Sequence, residues 1–564
     1  MVITKLQNLL QEAFKNTGYE CICSVIESNR PELCDYQCDN AFKLAKEYKT
    51  SPSIIANAVC NYLNAMPNLD DFFDKVEFAN PGFINLTLSN SFINSCLQEM
   101  NNTPNFGLKT QSQTVFIDYG GPNVAKPLHV GHLRSAIVGE SVKRINQYAG
   151  NKTITDVHLG DYGLQIGEVI YGLKEQGTTP ENITLEMLEY LYPKMSARCK
   201  EDETLKETCA QITKDLQDGN QEYAKYWEVI CKLSVNDMKR IYNYLDVSFD
   251  LWNGESECYK YLPMLFDKYL QENKLEKSEG AYIINVAKET DTKEIPPLIF
   301  KKSNGAYLYT STEIATIYER LTNYNLNKII YFTDLRQCLH FEQVFRSCEV
   351  LGLGNKDMFE HCPFGTVNGT DGKPFKTREG GSPKLDGLFD QVKDVLIKNK
   401  EGLQNAKEQD LDILVNAIIK FADLQNNRER DYIFDIEKFS KISGKTGPYV
   451  LYTYLRLNKI LQNENLKDAK LNTLTKSESD RNLRIALLAV YKHFKKALNE
   501  KMPSYICDYI YNICNIANSF YESNRIKSEQ NPQVKNDWLY LINLTTKILK
   551  DMLSLLAINI PSVM

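Results

Sequence analysis

The chain has 564 residues, which is enough for roughly three or four domains. Its 24% charged and 43% hydrophobic residues are ordinary for a soluble globular protein. The net charge of -6 excludes a chain that is basic as a whole, so a nucleic-acid partner would need a local basic surface.

The apolar pattern and the cysteines indicate a cytoplasmic protein. No apolar run reaches the roughly 18 residues of a membrane span, and the N-terminal residues have an amphipathic helical pattern without the apolar core of a signal peptide. The 15 cysteines are an odd number, and without a secretory signal they indicate reduced thiols. Cys21 and Cys23 are spaced more tightly than zinc ligands usually are, and no matching histidine follows Cys34 and Cys38, so no structural metal is expected.

Residues 1–108 predict a small α+β domain. Helical patterns cover Asp39–Lys49 and Ser51–Asn64, and alternating strand patterns follow at Lys75–Phe78 and Gly82–Leu88. The polar segment Asn101–Asn105 is typical of a linker. These residues alone leave open whether the domain binds a partner, dimerises or keeps the chain soluble.

Residues 112–390 predict a parallel sheet with crossover helices, because short apolar runs alternate with helical stretches. The strand candidates are Thr114–Tyr119, Thr153–His158, Lys328–Phe332 and Pro363–Asn368. A ligand site is expected at the carboxyl ends of these strands, where the strand order reverses. A charged, helix-rich insertion without obvious chemistry of its own lies at about 175–280 and includes Leu185–Asp246.

A turn with two histidines follows the first predicted strand. Gly-Gly-Pro-Asn leads to His129, Gly131 and His132, which open an amphipathic helix. A strand, a tight turn and a helix N-terminus present backbone N–H groups and a positive dipole end to phosphate. Read alone, two histidines at this spacing more often indicate a capped and packed helix start. A zinc site is less attractive, because no glutamate lies between them as in the zincin helix.

A second candidate segment lies at residues 364–378. Gly369 and Gly372 predict a mobile loop, which carries Lys373 and Lys376 three positions apart. Such a loop can close over a triphosphate and neutralise the charge that develops on pyrophosphate. Read alone, a pair of lysines in a glycine-rich loop is more often solvated surface.

Nearly all of the chain after residue 395 predicts helix. The helical patterns are Leu411–Gln425, Pro448–Asn463, Asn482–Asn499, Ser504–Glu522 and Val534–Ala557. Aromatic and arginine side chains near 426–456 are able to stack on unpaired bases, although Tyr449, Tyr452 and Tyr454 fit the core of a bundle equally well. The Gly-Lys-Thr at 444–446 is not a P-loop, because Phe439 stands where that motif needs glycine.

Together these motifs resemble a known family. The histidine turn resembles the HIGH signature of class I aminoacyl-tRNA synthetases, and the string PNVAKPLHVGHLRS resembles arginyl-tRNA synthetases in particular. The lysine-bearing segment resembles the KMSKS loop in the spelling of that family. The resemblance covers essentially the whole chain and is strongest at 114–168, 305–315, 363–381 and 426–456.

The resemblance implies a multidomain fold, α/β plus all-α. The expected domains are an N-terminal α+β appendage that contacts the outer corner of the tRNA (1–108), a Rossmann-like catalytic domain (109–395), a helical linker (396–445) and a helical-bundle anticodon-binding domain (446–564). It implies a cytoplasmic enzyme, monomeric as is usual in the family, with no membrane or DNA partner.

The resemblance also implies the reaction and its catalytic residues. The enzyme activates L-arginine with ATP to arginyl-adenylate, transfers it to the 3′ end of tRNA(Arg), and needs bound tRNA for efficient activation. Magnesium enters with ATP. The implied catalytic residues are His129, His132, Lys373 and Lys376. The implied ATP-binding residues are Pro122, Asn123, Lys126, His129, Gly131, His132, Val367 and Lys376.

The predicted arginine pocket depends on acids, because a guanidinium is best held by bidentate carboxylate contacts. The residues are Asp118, Asn123, Tyr309, Glu313 and Gln337, with Asp161 and Gln165 at the edge of the site. Tyr309 and Glu313 are four apart and would share a helix face. Glu313 stands where the family commonly has aspartate. The predicted tRNA-binding residues are Arg428, Tyr449, Tyr452 and Arg456.

Three other functions remain open at this stage. One is a class I synthetase for another amino acid, which the paired acids disfavour. The second is a nucleotidyltransferase that shares only the histidine turn, although such an enzyme needs neither the N-terminal appendage nor the long helical region. The third is a synthetase-like tRNA-binding or regulatory protein without catalysis, although a binder has no need of both the histidines and the lysines.

Overall fold

The computed structural model describes residues 2–109, 112–375, 384–399, 407–462, 464, 466, 471 and 477–564. The chain forms two compact units, each built from separate stretches of sequence. The terminal unit contains Met1–Thr110, Val450–Lys496 and Asp508–Met552. The central unit contains Gln111–Tyr449, Ala497–Cys507 and Leu553–Met564. The finer division into four regions stays a prediction.

Helices dominate both units. In chain order they are α1 (Val2–Asn16), α2 (Asn40–Glu47), α3 (Pro52–Asn64), α4 (Asn90–Asn102), α5 (Val130–Tyr148), α6 (Leu164–Glu175), α7 (Leu185–Glu201), α8 (Glu203–Gln217), α9 (Gln221–Tyr244), α10 (Glu255–Tyr259), α11 (Leu262–Gln271), α12 (Tyr309–Asn323), α13 (Cys338–Leu351), α14 (Leu385–Asn399), α15 (Glu408–Leu424), α16 (Ile436–Phe439), α17 (Gly447–Leu461), α18 (Glu478–Leu488), α19 (Val490–Glu500), α20 (Ser504–Ser523) and α21 (Pro532–Leu555). None of the described helices is long and apolar enough to cross a membrane.

The strands are shorter and form four sheets among the described residues. They are β1 (Ile26–Glu27), β2 (Tyr36–Cys38), β3 (Phe73–Ala79), β4 (Phe83–Leu88), β5 (Thr114–Asp118), β6 (Lys152–Asp156), β7 (Glu276–Ser278), β8 (Ala281–Ile284), β9 (Leu298–Lys301), β10 (Lys328–Tyr331), β11 (Phe359–His361), β12 (Val367–Asn368) and β13 (Tyr432–Ile433).

In the terminal unit, ion pairs join the N-terminal α+β segment to the C-terminal helices and those helices to one another. The strand order of the N-terminal antiparallel sheet is β1-β2-β4-β3. Arg481 of α18 donates to Asp35 at 2.6 Å. Arg484, fully buried, donates to Asp537 of α21 at 2.6 Å. The α+β segment and the helices of this unit therefore pack as one body.

The central unit is built on a parallel sheet of order β11-β10-β5-β6. Val115, Phe116 and Ile117 are buried, as expected for a strand covered on both faces. The chain passes from β5 to β6 on one side and later returns to β10 on the other. The strand order therefore reverses between β5 and β10, and their carboxyl ends open at that point.

Two predictions of secondary structure were wrong, and one sheet was not predicted. The predicted strand Pro363–Asn368 is limited to β12, which pairs with β13 outside the main sheet, and the outer strand of that sheet is β11. The chain turns away at 364–365, where the N–H of Phe364 donates to Thr333 and that of Gly365 donates to Arg428. The predicted helix Asn482–Asn499 is divided at Ala489 into α18 and α19. The antiparallel sheet β7–β9 was not predicted at all.

Candidate active site at the carboxyl edge of the parallel sheet

A cavity of about 520 Å³ opens at the carboxyl ends of β5 and β10. Its walls come from the loop after β5, the start of α5, the loop after β10 and the segment 364–375. Among the predicted site residues, those that line the cavity are Asp118, Lys126, His129, Gly131, His132, Gln337 and Val367. The predicted switch point of the sheet is therefore where the cavity lies.

The histidine turn is held by its own backbone. His129 is the N-cap of α5, and its Nδ1 accepts the N–H of Gly131 at 3.0 Å. The Nδ1 of His132 accepts the N–H of His129 at 3.1 Å, and the two rings lie 4.0 Å apart. Since each Nδ1 is an acceptor, each neutral ring carries its proton on Nε2. Both rings therefore present an N–H donor beyond the turn.

These imidazoles are neutral at physiological pH. Burial lowers the pKa of His129 to about 4, and the neighbouring Lys126 lowers it further. Burial also lowers the pKa of His132 well below its usual value. Lys126 is itself partly buried, which lowers the pKa of its amine. The turn therefore offers neutral donors and a helix dipole, with Lys126 as the nearby cation.

Gly131 is required by the ring of His129. A Cβ at this position would lie 2.7 Å from His129 Cε1 and 2.8 Å from Nδ1, closer than side-chain contacts allow. Pro122 and Asn123 do not line the cavity. The carbonyl of Pro122 accepts the N–H of Gly160, and a Cβ on Gly160 would lie 2.1 Å from Asn123 Oδ1. These two predicted ATP-binding residues instead join the loop after β5 to the loop after β6.

The segment 367–375 forms a tight hairpin, which we call the lysine loop. The N–H of Phe375 donates to Val367 at 3.0 Å, and the N–H of Gly369 donates to Lys373 at 2.8 Å. Gly372 takes a φ of 73°, which favours glycine. Lys373 is exposed at the tip of this hairpin. The second predicted lysine, Lys376, lies outside the described residues.

Asp118 is already ion-paired within the protein. Its Oδ2 lies 2.6 Å from Nη2 of Arg320, and the same nitrogen lies 2.9 Å from Asp156. Burial raises the pKa of Asp118, while Arg320 lowers it. Asp118, Asp156 and His158 have ligand atoms within 4.8 Å of one another, as a metal site would. Arg320 already supplies the positive charge between the two aspartates, so the set does not fit a metal.

Glu313 forms no ion pair with any of the residues that the structure describes. Its Oε2 is buried and accepts no hydrogen bond from the described residues. Burial is the main cause that raises the pKa of Glu313, to about 7; the nearby Asp118 and Glu255 also raise this pKa, whereas His158 and Arg320 lower it. Tyr309 begins the same helix and is 60% exposed, with its ring 4.8 Å from that of His340.

Sequence reasoning missed three residues of this acidic cluster: Arg320, Glu255 and His158. Burial disfavours the charged ring of His158, but the carboxylate of Asp156 outweighs it and raises the pKa of His158 to about 9. Glu255 begins α10, and burial raises the pKa of its carboxyl. Arg320 follows Glu313 by seven positions on α12, two turns along the same face, and this spacing was the signal available in the sequence.

Of the two residues predicted at the edge of the site, Asp161 is hydrogen-bonded within the protein and Gln165 lies outside the cavity lining. Asp161 is buried and accepts hydrogen bonds from the N–H and the hydroxyl of Ser256, at 3.0 and 2.6 Å. Gln165, on α6, is partly buried and does not line the cavity.

The predicted tRNA-binding residues differ in exposure. Arg428 is 7% exposed, and it donates to the carbonyl oxygens of Pro363 at 2.7 Å and Lys501 at 3.2 Å. Its burial counts against a direct contact with tRNA. Tyr452 is 43% exposed, while Tyr449 is partly buried. The guanidinium of Arg456 lies 4.6 Å from the ring of Tyr521.

The parallel sheet, the histidine turn and the lysine loop together form the catalytic fold of class I aminoacyl-tRNA synthetases. The family model "tRNA synthetases class I (R), catalytic domain" matches residues 93–436. The models "Arginyl tRNA synthetase N terminal domain" and "DALR anticodon binding domain" match residues 4–88 and 450–564.

Full-length relatives agree with these matches. The chain is 40% identical to an arginine–tRNA ligase of Alkaliphilus oremlandii over 100% of both chains. It is 39% identical to one of Agathobacter rectalis over 99% of both. The arginyl-tRNA synthetase of Plasmodium falciparum matches with a TM-score of 0.82 and 26% identity, over 100% of this chain and 99% of that one. The chain belongs to the arginyl-tRNA synthetase family.

The predicted family, fold class, enzyme class and function, arginine–tRNA ligation, are thereby confirmed. The alternatives, another synthetase, a nucleotidyltransferase or a binder without catalysis, are not favoured. The roles of individual residues in the reaction are inferred from the geometry of the site.

Proposed function

We propose that this cavity binds ATP and L-arginine and joins them as arginyl-adenylate, which then passes to the 3′ end of tRNA(Arg). The observation that carries the proposal is the placement of two neutral histidine donors and the base of the lysine loop on the walls of one cavity. We further propose that the chain acts as a monomer in the cytoplasm.

The phosphates of ATP bind at the start of α5. The Nε2–H donors of His129 and His132 reach phosphate oxygens, assisted by the helix dipole and the amine of Lys126. Lys373 stabilises the charge that develops on pyrophosphate in the transition state, and Lys376 is proposed to do the same. Magnesium enters with ATP as part of the substrate.

The guanidinium of arginine binds at Glu313 on α12. Glu313 and Tyr309 are not among the residues that line the cavity, so the arginine pocket extends from Asp118 and Gln337 on the cavity wall toward α12. The buried Oε2 of Glu313 has no protein donor, and Glu255 adds a second nearby acid. Tyr309 and Gln337 complete the pocket around the rest of the amino acid. The carboxylate of Asp118 is ion-paired with Arg320, so Asp118 acts on the pocket by holding Arg320 in place.

No covalent enzyme intermediate is needed in this reaction. The carboxylate of arginine attacks the α-phosphate, pyrophosphate leaves, and the terminal ribose hydroxyl of tRNA then takes the arginyl group. Catalysis therefore consists of positioning and of stabilising charge. The exposed ring of Tyr452 and the partly buried guanidinium of Arg456 are proposed to contact the tRNA.

The experiment is ATP–pyrophosphate exchange with arginine as the only amino acid, with and without tRNA(Arg). We expect exchange with arginine and tRNA together, and its loss in His132→Asn while tRNA binding survives. His493→Asn, in α19 and outside the cavity, is the matched control and should keep exchange. Folded protein without exchange under any condition contradicts the proposal. If His132→Asn retained full exchange, the role of the histidine turn would be wrong.

A further inference from the structure

We propose that Arg134 is a positioning residue that fixes the base of the lysine loop relative to the histidine turn. The inference rests on the proposed function, because it concerns where the loop stands when it acts on ATP. Arg134 lies on α5, two positions after His132, and is 1% exposed. Arg134 is also among the residues that line the cavity.

The guanidinium of Arg134 contacts α15 and the segment that includes β13. Its Nε lies 3.1 Å from Oδ2 of Asp423 at the end of α15. Its Nη1 donates to the carbonyl of Arg430 at 2.9 Å. The guanidinium carbon lies 5.1 Å from the ring centroid of Tyr432, which is a cation–π distance. Arg134 therefore ties α5 to α15 and to β13.

β13 in turn pairs with β12, the strand of the lysine loop. Tyr432 pairs with Val367 of β12, and its N–H donates to Thr366 at 3.2 Å. The N–H of Thr366 donates to Asp431 at 2.7 Å. A Cβ on Gly365 would lie 2.6 Å from the backbone carbon of Arg430, so the two segments approach closely.

The lysine loop begins with β12. A continuous set of contacts therefore runs from α5 through Arg134 and β13 to the hairpin that holds Lys373. Lysine cannot replace Arg134 in this set, because only a planar guanidinium bonds a carboxylate and a carbonyl while it stacks on a ring. Burial of the ion pair is costly unless geometry repays it, so stability alone is a weak reason for its presence.

The principal test removes the whole pair. Arg134→Met with Asp423→Leu leaves no unpaired buried charge, so the double variant should keep the thermal midpoint of the parent. We expect its rate of arginine-dependent ATP–pyrophosphate exchange, measured with tRNA, to fall by about a hundredfold, the scale of a 1 Å misplacement. A purely structural role predicts that exchange recovers together with stability, and that result would overturn the inference.

A mutant cycle identifies the loop as the target. Lys373→Ala is introduced into the parent and into the Arg134→Met, Asp423→Leu variant. If Arg134 acts through the loop, the loss caused by Lys373→Ala is much smaller in the variant than in the parent. Independent losses that multiply, or a rise in KM for ATP alone, would show that Arg134 acts elsewhere and overturn the inference.

Two further variants keep the test decisive. If the double variant does not fold, Tyr432→Leu removes the stacked ring, leaves both charges and the strand pairing, and enters the same cycle with the same expectations. Arg346→Met with Asp291→Leu is the matched control, because Arg346 also joins a carboxylate to a backbone carbonyl. Neither residue lines the cavity, and the control should keep exchange.

The parent separates the two proposals. If the unmodified, folded chain shows no exchange with arginine and tRNA, the proposed function fails first. If the parent is active and the cycle shows no coupling, only the inference about Arg134 fails.

Discussion

At the scale of single residues, the groups proposed to bind the two substrates differ in protonation state. His129 and His132 stay neutral across the physiological range, whereas Glu313 titrates near neutrality. The groups proposed to bind phosphate and the group proposed to bind the guanidinium therefore respond differently to pH. This difference is measurable in binding experiments.

We predict that affinity for arginine rises with pH and reaches a plateau above about pH 7, where Glu313 is charged. The pKa of this carboxyl is raised to about 7 in the empty pocket, so below that pH binding of the guanidinium must first expel a proton. Affinity for arginine should fall about tenfold per pH unit below pH 7. Titration calorimetry from pH 5.5 to 8.5 measures it, and affinity for ATP should stay flat from pH 6 to 8.5.

Glu313→Gln tests the assignment of this titration. The amide has the same shape without the charge, so arginine affinity should drop by at least about a hundredfold, and its pH dependence should vanish. Glu319→Gln, on the same helix, should bind arginine as the parent does. A pH profile that persists in Glu313→Gln would assign the titration to another group.

We predict that Gly131→Ala slows exchange without lowering stability. The added Cβ displaces the ring of His129, and exchange should fall about tenfold or more. Alanine favours a helix over glycine, so the thermal midpoint should not fall. Gly387→Ala is the control, because Gly387 also lies in the first turn of a helix and its Cβ would meet open space. Equal effects of the two substitutions would contradict the role given to Gly131.

The residues found from sequence were those with local spacing. His129 and His132, three apart after an apolar strand, were predicted at the phosphate turn, and the structure places both on the cavity wall. The partner of Asp118 was not predicted, because Arg320 is 202 positions away in the chain. Pairings of this kind depend on the packing of distant elements, which periodicity does not encode.

At the scale of elements, the lysine loop is a hairpin with a fixed base and an exposed tip. β12 and β13 hold the base, whereas Lys373 is exposed at the tip. A loop of this form can hold the ammonium group of Lys373 near the negative charge that develops on pyrophosphate in the transition state.

We predict that Lys373→Ala lowers kcat of adenylate formation by about tenfold to a hundredfold and leaves KM for ATP nearly unchanged. An interaction made only in the transition state affects kcat and not ground-state binding. Pre-steady-state measurement of adenylate formation gives both quantities, and Lys356→Ala, another exposed lysine of the central unit, is the control. A rise in KM with unchanged kcat would indicate that Lys373 binds ground-state ATP instead.

The sequence predicted elements best where apolar runs were continuous. β5, β6 and β10 lie within one or two residues of their predicted bounds, because buried parallel strands are rich in β-branched and aromatic residues. β7 is fully exposed along its three residues and has no such signal. The prediction of a strand at 363–368 was wrong because the apolar side chains of this segment line a cavity and a turn instead of covering the face of a sheet.

At the scale of the molecule, the final residues of the chain belong to the central unit. Ala557 accepts a hydrogen bond from the buried amine of Lys420 at 2.5 Å. Arg144 donates to the carbonyl of Ser554 at 3.1 Å, and Ser562 donates to Asp410 at 2.7 Å. These bonds fix residues 553–564 against α5 and α15.

We predict that Lys420→Met stabilises the protein at pH 7, and that the gain shrinks as pH rises. Burial lowers the pKa of Lys420 to about 7, so between pH 7 and 10.5 the unfolded chain binds the proton that the folded chain has released. The stability of the parent should therefore rise with pH, by at most about 1.4 kcal/mol per pH unit, and methionine removes this slope. Chemical unfolding at pH 7 and 9 measures the difference; a gain that is the same at both would contradict the lowered pKa.

The division into units was beyond the sequence. Composition and periodicity divide a chain into consecutive segments, and four were predicted. The structure instead assembles each unit from three stretches, and Ala497–Cys507 joins the central unit from within a helical region. Nothing in the pattern of α19 and α20 marks where the chain changes units, because both units bury the same kind of apolar face.

The interleaved units set a rule for recombining this chain with its relatives. A chimera cut at residue 450, where the match to the anticodon-binding model begins, would import Ala497–Cys507 and Leu553–Met564 from the donor. Lys501 and Ala557, which bond to Arg428 and Lys420, would then come from a foreign sequence. Grafts that restore these two segments to the recipient sequence keep both hydrogen bonds within one sequence, so a chimera of this region requires four junctions and not one.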